Sequence, residues 1–474
     1  MTDDDFLSRP AATVTNARAL GLGGFRVALS WMPGQTQMSR GDIADFDAMT
    51  QAAAGLRIVV TVYGKASAAP LDSTARDTYC SYVRDLLTRY PSIGDVVIWN
   101  EPNLGFFWQP QFDPDGTSAA PAAYEALLAR CWDVLHAARP GVNVIMTTSP
   151  SGNDNPAAVS NVSHSPGAFV RKLGAAYRAS GRTKPIFDTV GHNPYGYDSG
   201  ESPWQQHFAP GHIAEGDLDR LVRAFDDGFG GTAQPVPSKC GAGSQSCAPV
   251  WYLEAGYQTV PDAAHQSLYT GQENDAHAIP AAAGDAGYGP TQSAQLLEGI
   301  ELAYCQPAVG AFFNFLLRDE PSLARWQSGV LWADGSRKPS FDALQQAIAQ
   351  VKGGGINCAR LQAAHATPIA SPGDALVDRI EWSPLTAFSI FNEIWGFSID
   401  VRADSTFRAT LLPVSHGAHM RLTTAGTLVH AKPRLLQFQF ARLDKGSYRI
   451  KVVVTRRKRP LLTVTRTSPT FVVQ

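Results

Sequence analysis

The chain has 474 residues, 44% of them hydrophobic and 17% charged, with a formal net charge of −2. That length suits two or three domains. The near-neutral balance argues against nucleic acid or an anionic membrane as a partner and suits an uncharged ligand. No apolar run approaches the ~20 residues of a membrane span.

Met1-Thr2-Asp3-Asp4-Asp5 is acidic and polar, unlike a signal segment; if the protein is secreted, its leader is expected to be missing from this chain. From there helical and strand patterns alternate. Residues 12–20 read as a helix ending at Gly21, and 24–31 as a strand. Residues 44–54 are helical, and the Val-rich 57–63 is a strand. A helix over 73–90 stops at Pro91, and Val96–Ile98 is a short buried strand. Then come a helix over 121–138, a strand over 142–148, a helix over 167–180 and a strand over 186–195. A helix over 216–227, a strand over 249–257, a helix over 291–305, a strand over 309–317 and a helix over 340–351 complete the series.

Strands separated by helices of this length imply βα units and a parallel sheet. Seven strands with a helix before the first predict an α/β fold, a (β/α)8 TIM barrel whose first strand is missing or very short. A doubly wound open sheet is the alternative, and it lacks its Gly-x-Gly-x-x-Gly signature here. After Gly353-Gly354-Gly355 the pattern changes to short alternating runs such as Phe397-Ser398-Ile399-Asp400-Val401. That predicts a catalytic barrel over 1–352, a linker over 353–358 and an all-β sandwich over 359–474. The sandwich reads as a structural appendage, with sugar binding as the alternative. The basic run Arg456-Arg457-Lys458-Arg459-Pro460 reads as a solvated hairpin tip.

Six cysteines fall into plausible local pairs. Cys240 and Cys247 bracket a Gly/Ser loop, Cys80 and Cys131 lie on helices flanking one strand, and Cys305 with Cys358 remain. Three disulfides and an oxidising compartment are expected, against the alternative of buried free thiols. No Cys/His cluster has metal-ligand spacing.

The chemistry is carried by Trp99-Asn100-Glu101-Pro102-Asn103 and by Trp251-Tyr252-Leu253-Glu254-Ala255-Gly256-Tyr257. Each glutamate ends a predicted strand, and barrel enzymes set reactive side chains there. A lone strand-end glutamate is more often a salt-bridge partner; two that converge are the minimal apparatus for acid/base and nucleophilic work on a glycoside. Together the two motifs resemble the clan of retaining glycoside hydrolases built on eight-stranded barrels. Trp99 through Trp108 most resembles glycoside hydrolase family 39. The stretch Trp326-Gln327-Ser328-Gly329, with Lys338-Pro339-Ser340-Phe341, is similar to barrel endings in that group.

The resemblance covers about residues 10–352. It implies Glu101 as general acid/base, Glu254 as nucleophile and Asn100 as the holder of a sugar 2-hydroxyl. It further implies His192 and Tyr195 near the nucleophile and Arg26 supporting it, with Trp31, Trp108 and Tyr257 as substrate-binding aromatics. Core packing is at least as good a reading for Trp31 and Trp108, and for Tyr63, Phe313 and Phe315. The two carboxyls are expected about 5–5.5 Å apart, with His192 or Tyr195 bonded into the network of Glu254. Two departures stand out: no first strand is legible, and Phe312-Phe313-Asn314-Phe315 stands where the clan often has Trp. The expected function is a secreted, monomeric, retaining β-glycosidase needing no cofactor or metal, with carbohydrate as its partner. The rival is a non-catalytic carbohydrate-binding protein on a barrel scaffold.

Overall fold

The structure is a computed structural model of the chain. It describes residues 1–53, 55–207, 211–240, 247–273, 278–282 and 290–365, and, further on, 377–382, 394–401, 404–414, 422–429, 434–439, 446–457, 463–468 and 470–473. The chain divides into two compact units, Met1–Gln205 with Gly211–Ile369, and Gln206–Pro210 with Ala370–Gln474.

In the first unit the strands are β1 (Gly24–Ser30), β2 (Arg57–Tyr63), β3 (Asp95–Ile98), β4 (Asn143–Thr148), β5 (Thr189–His192), β6 (Val250–Ala255) and β7 (Val309–Asn314). They form one seven-stranded parallel sheet in sequence order. The helices are α1 (Asp5–Ser8), α2 (Pro10–Leu20), α3 (Arg40–Ala52), α4 (Ser73–Arg89), α5 (Ala120–Ala138), α6 (Pro166–Ala179), α7 (Leu218–Phe229), α8 (Gln292–Cys305), α9 (Pro339–Gly353) and α10 (Cys358–His365). Local sequence sets their ends. Ser39 and Asp42 form a capping box on α3, and Asp72, Ser165 and Thr291 accept from the first turns of α4, α6 and α8. α2 and α9 stop at Gly21 and Gly354, both left-handed, a conformation that costs glycine nothing.

Strand parity sorts the side chains into two layers. Phe25, Val27, Leu29, Ile58, Val60, Val62, Val96, Ile98, Val144, Met146 and Val190 join the large core shared with the helices. Val59, Val97, Ile145, Trp251, Leu253 and Phe313 form a separate cluster on the other face, inside the curl of the sheet. On that inner face the first residues of four consecutive strands are bonded in series. Arg57 donates twice to Asp95 at 2.7 Å, Asn143 donates to Asp95 at 2.8 Å, and Thr189 donates to Asn143 at 2.8 Å. This is the floor.

The sheet curls until its two edges meet at one residue. Thr2 forms parallel bridges to both Arg26 of β1 and Phe315 beyond β7. Its N–H donates to Asn314, the Asp3 N–H to Arg26 and the Arg26 N–H to Met1. The buried Asp3 carboxylate accepts from the N–H groups of Asp5, Leu317 and Arg318 at 2.7–3.0 Å. Met1–Asp3 thus form a stave at the position of the expected first strand, and the arrangement fits an α/β barrel. Below Thr2, toward the floor, the described residues leave a cavity of about 610 Å3 between Met1, Gly24, Trp251, Phe313 and Leu344. It lies at the opposite end of the strands from Glu101.

All three expected disulfides form: Cys80–Cys131 between α4 and α5, Cys240–Cys247, and Cys305–Cys358 between α8 and α10. The loop inside Cys240–Cys247 lies outside the described residues. α10 and its disulfide belong to the first unit, which runs on through the stretch expected as a linker. Residues 358–365 are helical rather than the start of the β region.

The second unit is a β domain of two antiparallel sheets. One has the order β11 (Thr423–Leu428), β10 (Ser405–Pro413), β13 (Gly446–Arg456), β14 (Thr463–Thr467), with β15 (Phe471–Val473) also on β13. The other has the order β12 (Arg434–Gln439), β9 (Ile394–Val401), β8 (Val377–Trp382). Alternation is clean on β13, where Tyr448, Ile450, Val452 and Val454 are buried and Arg449 and Lys451 face out. The basic run begins at the end of β13; Lys458–Pro460 lies outside the described residues.

Candidate active site

The site is built where β3 ends. Val96–Ile98 are fully buried, and the chain then turns sharply through two non-glycine residues in the left-handed region, Trp99 at φ 67° and Glu101 at φ 37°. Such residues cost roughly 1–3 kcal/mol each and persist only where the surroundings over-determine them. Here they do. The Trp99 N–H donates to Val62 at 3.0 Å and to the Tyr79 hydroxyl at 3.1 Å, and its indole N–H donates to Phe107 at 2.6 Å. Trp31, Tyr79 and Trp108 wall the ring. Asn103 ties down the far side, donating to Ser149 and His164 and accepting from the Ser149 N–H, all within 2.9 Å. The turn takes Trp99 off the inner face and leaves Asn100 and Glu101 there.

A second irregularity positions Glu254. On β6, Val250 and Tyr252 face the helices while Trp251 and Leu253 face inward. Strict alternation would send Glu254 to the helices. Instead the register with β7 shifts between Tyr252 and Ala255. Two residues of β6 oppose one of β7, a bulge of the kind that re-aims a side chain. The freed Leu253 carbonyl accepts from the Thr2 hydroxyl at 2.6 Å, so the stave that bridges the seam also pins the bulge.

Arg26 joins the two turns. On β1 its neighbours Phe25 and Val27 pack outward, which leaves Arg26 facing in. Its guanidinium donates to Glu254 at 2.6 Å, to the Asn100 side-chain oxygen at 3.1 Å and to the Thr61 hydroxyl at 2.7 Å. Tyr195 donates to the other Glu254 oxygen at 3.3 Å. Glu101 accepts from Asn193 at 2.7 Å.

Environment separates the two glutamates. Glu101 is buried, and burial first, then the charge of Glu254, pushes its carboxyl up to about 8; the bond from Asn193 and the charge of Arg26 oppose this more weakly. Glu254 is part-exposed and ion-paired to Arg26. Burial, with Glu254 and Glu101 alongside, holds the Tyr195 hydroxyl well above its ordinary range, so it stays a donor.

Of the residues expected from sequence, Glu101, Glu254, Asn100, Arg26 and Tyr195 come together. Four others do not join them. His192 shares the parity of Val190 and faces the helix layer, where its ring nitrogens meet Thr148 and the Ile213 carbonyl, each at 2.9 Å. Burial pushes that imidazole down to about 4. Trp31 is buried and bonded to Gln35. Trp108 is enclosed by Trp99 and Tyr124. Both have spent their faces on core packing. Tyr257 is buried beside Glu215 and Gly299 of α8. Of the aromatics left open between core and cleft, Phe313 sits in the inner cluster, while half-buried Tyr63 packs on Phe107.

Sequence reasoning missed Asn193, Thr61, Thr2 and the place of Trp326 beside Tyr195 and Phe315. Trp326 is 36% exposed, with its ring 5.4 Å from both Tyr195 and Phe315. Asn193 was legible: if Val190 faces the helices, so does His192, and the next residue faces in.

No protein-family model matches the sequence, and no curated protein does. Among solved structures the chain is similar to GH5_18 from Streptomyces cattleya in complex with GlcNAc, at 16% identity over 73% of this chain and 76% of that one, TM-score 0.47. It is similar to a beta-glucosidase from Thermotoga maritima at 12% identity over 74% and 88%, TM-score 0.47. A Bacteroides uniformis beta-glucuronidase matches at 12% identity, with this chain spanning 44% of that protein's length, TM-score 0.41. These likenesses do not single out family 39. At such identities and scores they leave the reading of the site to its own geometry.

Proposed function

We propose that this protein is a retaining glycoside hydrolase acting on β-linked glycosides, working at the mouth of an eight-position barrel in which Met1–Asp3 lie at the first-strand position. The observation that carries the reading is the split between two neighbouring glutamates. One is buried and kept protonated near neutral pH, and the other is ion-paired to a buried arginine. Two carboxyls pushed apart in this way are the acid and the nucleophile of double displacement.

In the first step a Glu254 oxygen attacks the anomeric carbon as the bond to the leaving oxygen breaks, and Glu101 gives its proton to that oxygen. Arg26 and Tyr195 fix the attacking carboxylate in direction. In the second step Glu101, now ionised, takes a proton from water. The water oxygen attacks the anomeric carbon and frees Glu254. Two inversions give net retention. Asn193 holds Glu101 through both roles, because its amide donates to the ionised form. Asn100, with its oxygen engaged by Arg26, presents its NH2 to the sugar 2-hydroxyl. The three disulfides fit an extracellular site of action.

The test is hydrolysis of a panel of aryl β-glycosides with the first-formed anomer read by NMR. The β-anomer is expected, and an α-product overturns the mechanism. With azide, Glu101→Ala should give the β-glycosyl azide from an accumulated intermediate, and Glu254→Ala the α-azide by direct attack. The same anomer from both variants would refute the roles.

A further inference from the structure

We propose that Asp4 selects an uncharged sugar, accepting hydrogen bonds from hydroxyls of the ring bound between Glu101 and Glu254 and turning away uronates. This rests on the hydrolase reading above.

The stave places Asp4 at the mouth. Thr2 is bridged to Arg26, and Asp3 is clamped by three backbone N–H groups, so the next residue emerges beside the ion pair of Arg26 and Glu254. One Asp4 oxygen is fixed by the Ala28 N–H at 2.8 Å, two residues above Arg26 on the same inner face of β1. No other hydrogen bond to this carboxylate occurs among the described residues, and Asp4 is exposed. Desolvation by its surroundings holds the Asp4 carboxyl above its ordinary range, opposed by the Ala28 N–H and the charge of Arg26 and reinforced by Glu254 and Glu320; the Tyr63 hydroxyl at the end of β2 is raised by burial, then by Asp4 and Glu254.

The mouth therefore carries four carboxyl groups, Asp4, Glu101, Glu254 and Glu320. Arg26 is held by Glu254 and Asn100, and Arg318 is held by Asp5 at 2.6 Å. Neither of these two guanidinium groups is left for a substrate carboxylate. A carboxylate acceptor matches sugar hydroxyls, which donate, and repels a uronate, which only accepts at that position. Sites that bond a substrate hydroxyl discriminate strongly, because the mismatched ligand leaves buried polar groups unpaired.

Asp4→Asn tests this because its amide oxygen can still accept from Ala28 while the charge is lost. Aryl β-glucoside, β-galactoside, β-mannoside and β-xyloside are compared with aryl β-glucuronide. Wild type should prefer at least one neutral glycoside over the glucuronide by roughly 100-fold or more. Asp4→Asn should lower kcat/KM for that glycoside about 10-fold or more and shift the neutral-to-uronide ratio at least 10-fold toward the uronide. The thermal midpoint should hold. Asp4→Ser, whose hydroxyl also accepts, should show the same shift in ratio. An unchanged ratio in both variants, or a wild type that prefers the glucuronide, overturns the inference and leaves the hydrolase reading intact. A wild type inert on every glycoside removes both.

Discussion

The floor and the mouth of the sheet are both threaded by an arginine–carboxylate pair, yet they are built to opposite ends. At the floor, Arg57, Asp95, Asn143 and Thr189 are each the first residue of a regular strand, and each side chain bonds its neighbour. The Arg57 guanidinium also covers the Trp251 ring at 4.7 Å. None of these four residues has left-handed backbone, and each pairs in regular register. At the mouth, Glu254 sits on a bulge and Glu101 is itself left-handed, with Asn100 between it and left-handed Trp99; only Arg26 stands on a regular strand. Their bonding is incomplete: Glu101 takes one bond from Asn193 and is otherwise kept neutral by burial and a like charge. The same residue types thus give a satisfied brace at one end and a poised acid at the other. What differs is regular backbone against enforced irregularity.

That contrast can be broken most sharply by removing the nucleophile. Glu254→Ala should lower turnover by roughly 10⁴-fold or more with every leaving group, since both steps pass through that carboxylate. Activity within 10-fold of wild type would end the argument.

Next is the arginine. Arg26→Ala leaves Glu254 without its cation and should reduce kcat by roughly 10²–10³-fold. Arg26→Lys should recover only part, because one ammonium cannot serve Glu254, Asn100 and Thr61 at once. Full recovery in steady-state kinetics would show that charge alone matters.

Third is pH. The acid form of Glu101 is the working form, so kcat/KM should fall as pH rises through about 8, near 10-fold per unit above it. The raised value carries a stability consequence of fixed sign. The folded chain holds a proton that the unfolded chain gives up, so the associated stability is present below the ordinary carboxyl range and lost as pH rises toward 8. Glu101→Gln should flatten that slope in urea titrations. A steeper slope would reverse the assignment.

The smallest effect on activity belongs to the floor. Asp95→Ala should cost about 1–3 kcal/mol of stability in chemical denaturation, tempered because Arg57 is half exposed. It should leave kcat within about 2-fold of wild type, as the fully separate brace implies. A large loss of kcat would mean the two ends are coupled.

Much of this protein was determined by sequence alone. Apolar periodicity marked all seven strands and the helices between them, since one buried stripe per helix and inward runs per strand are local patterns. Glu101 and Glu254 were legible because a strand followed by polar residues and Pro102, or by Gly256, ends at the mouth. Cys80–Cys131 was legible because helices flanking one strand are neighbours in space, Cys240–Cys247 because the loop between them is short, and Cys305–Cys358 by elimination. Only the tertiary structure decided the rest. Thr2 takes the first-strand position with one bridge to each side, and a single residue has no period. The bulge that turns Glu254 inward exists only in its register against β7. Whether Trp31 and Trp108 or Trp326 meet the cleft depends on which faces the surrounding helices and loops have already covered. A composition of aromatic residues is the same whichever way they point; burial against a neighbour is what separates a core ring from an open one.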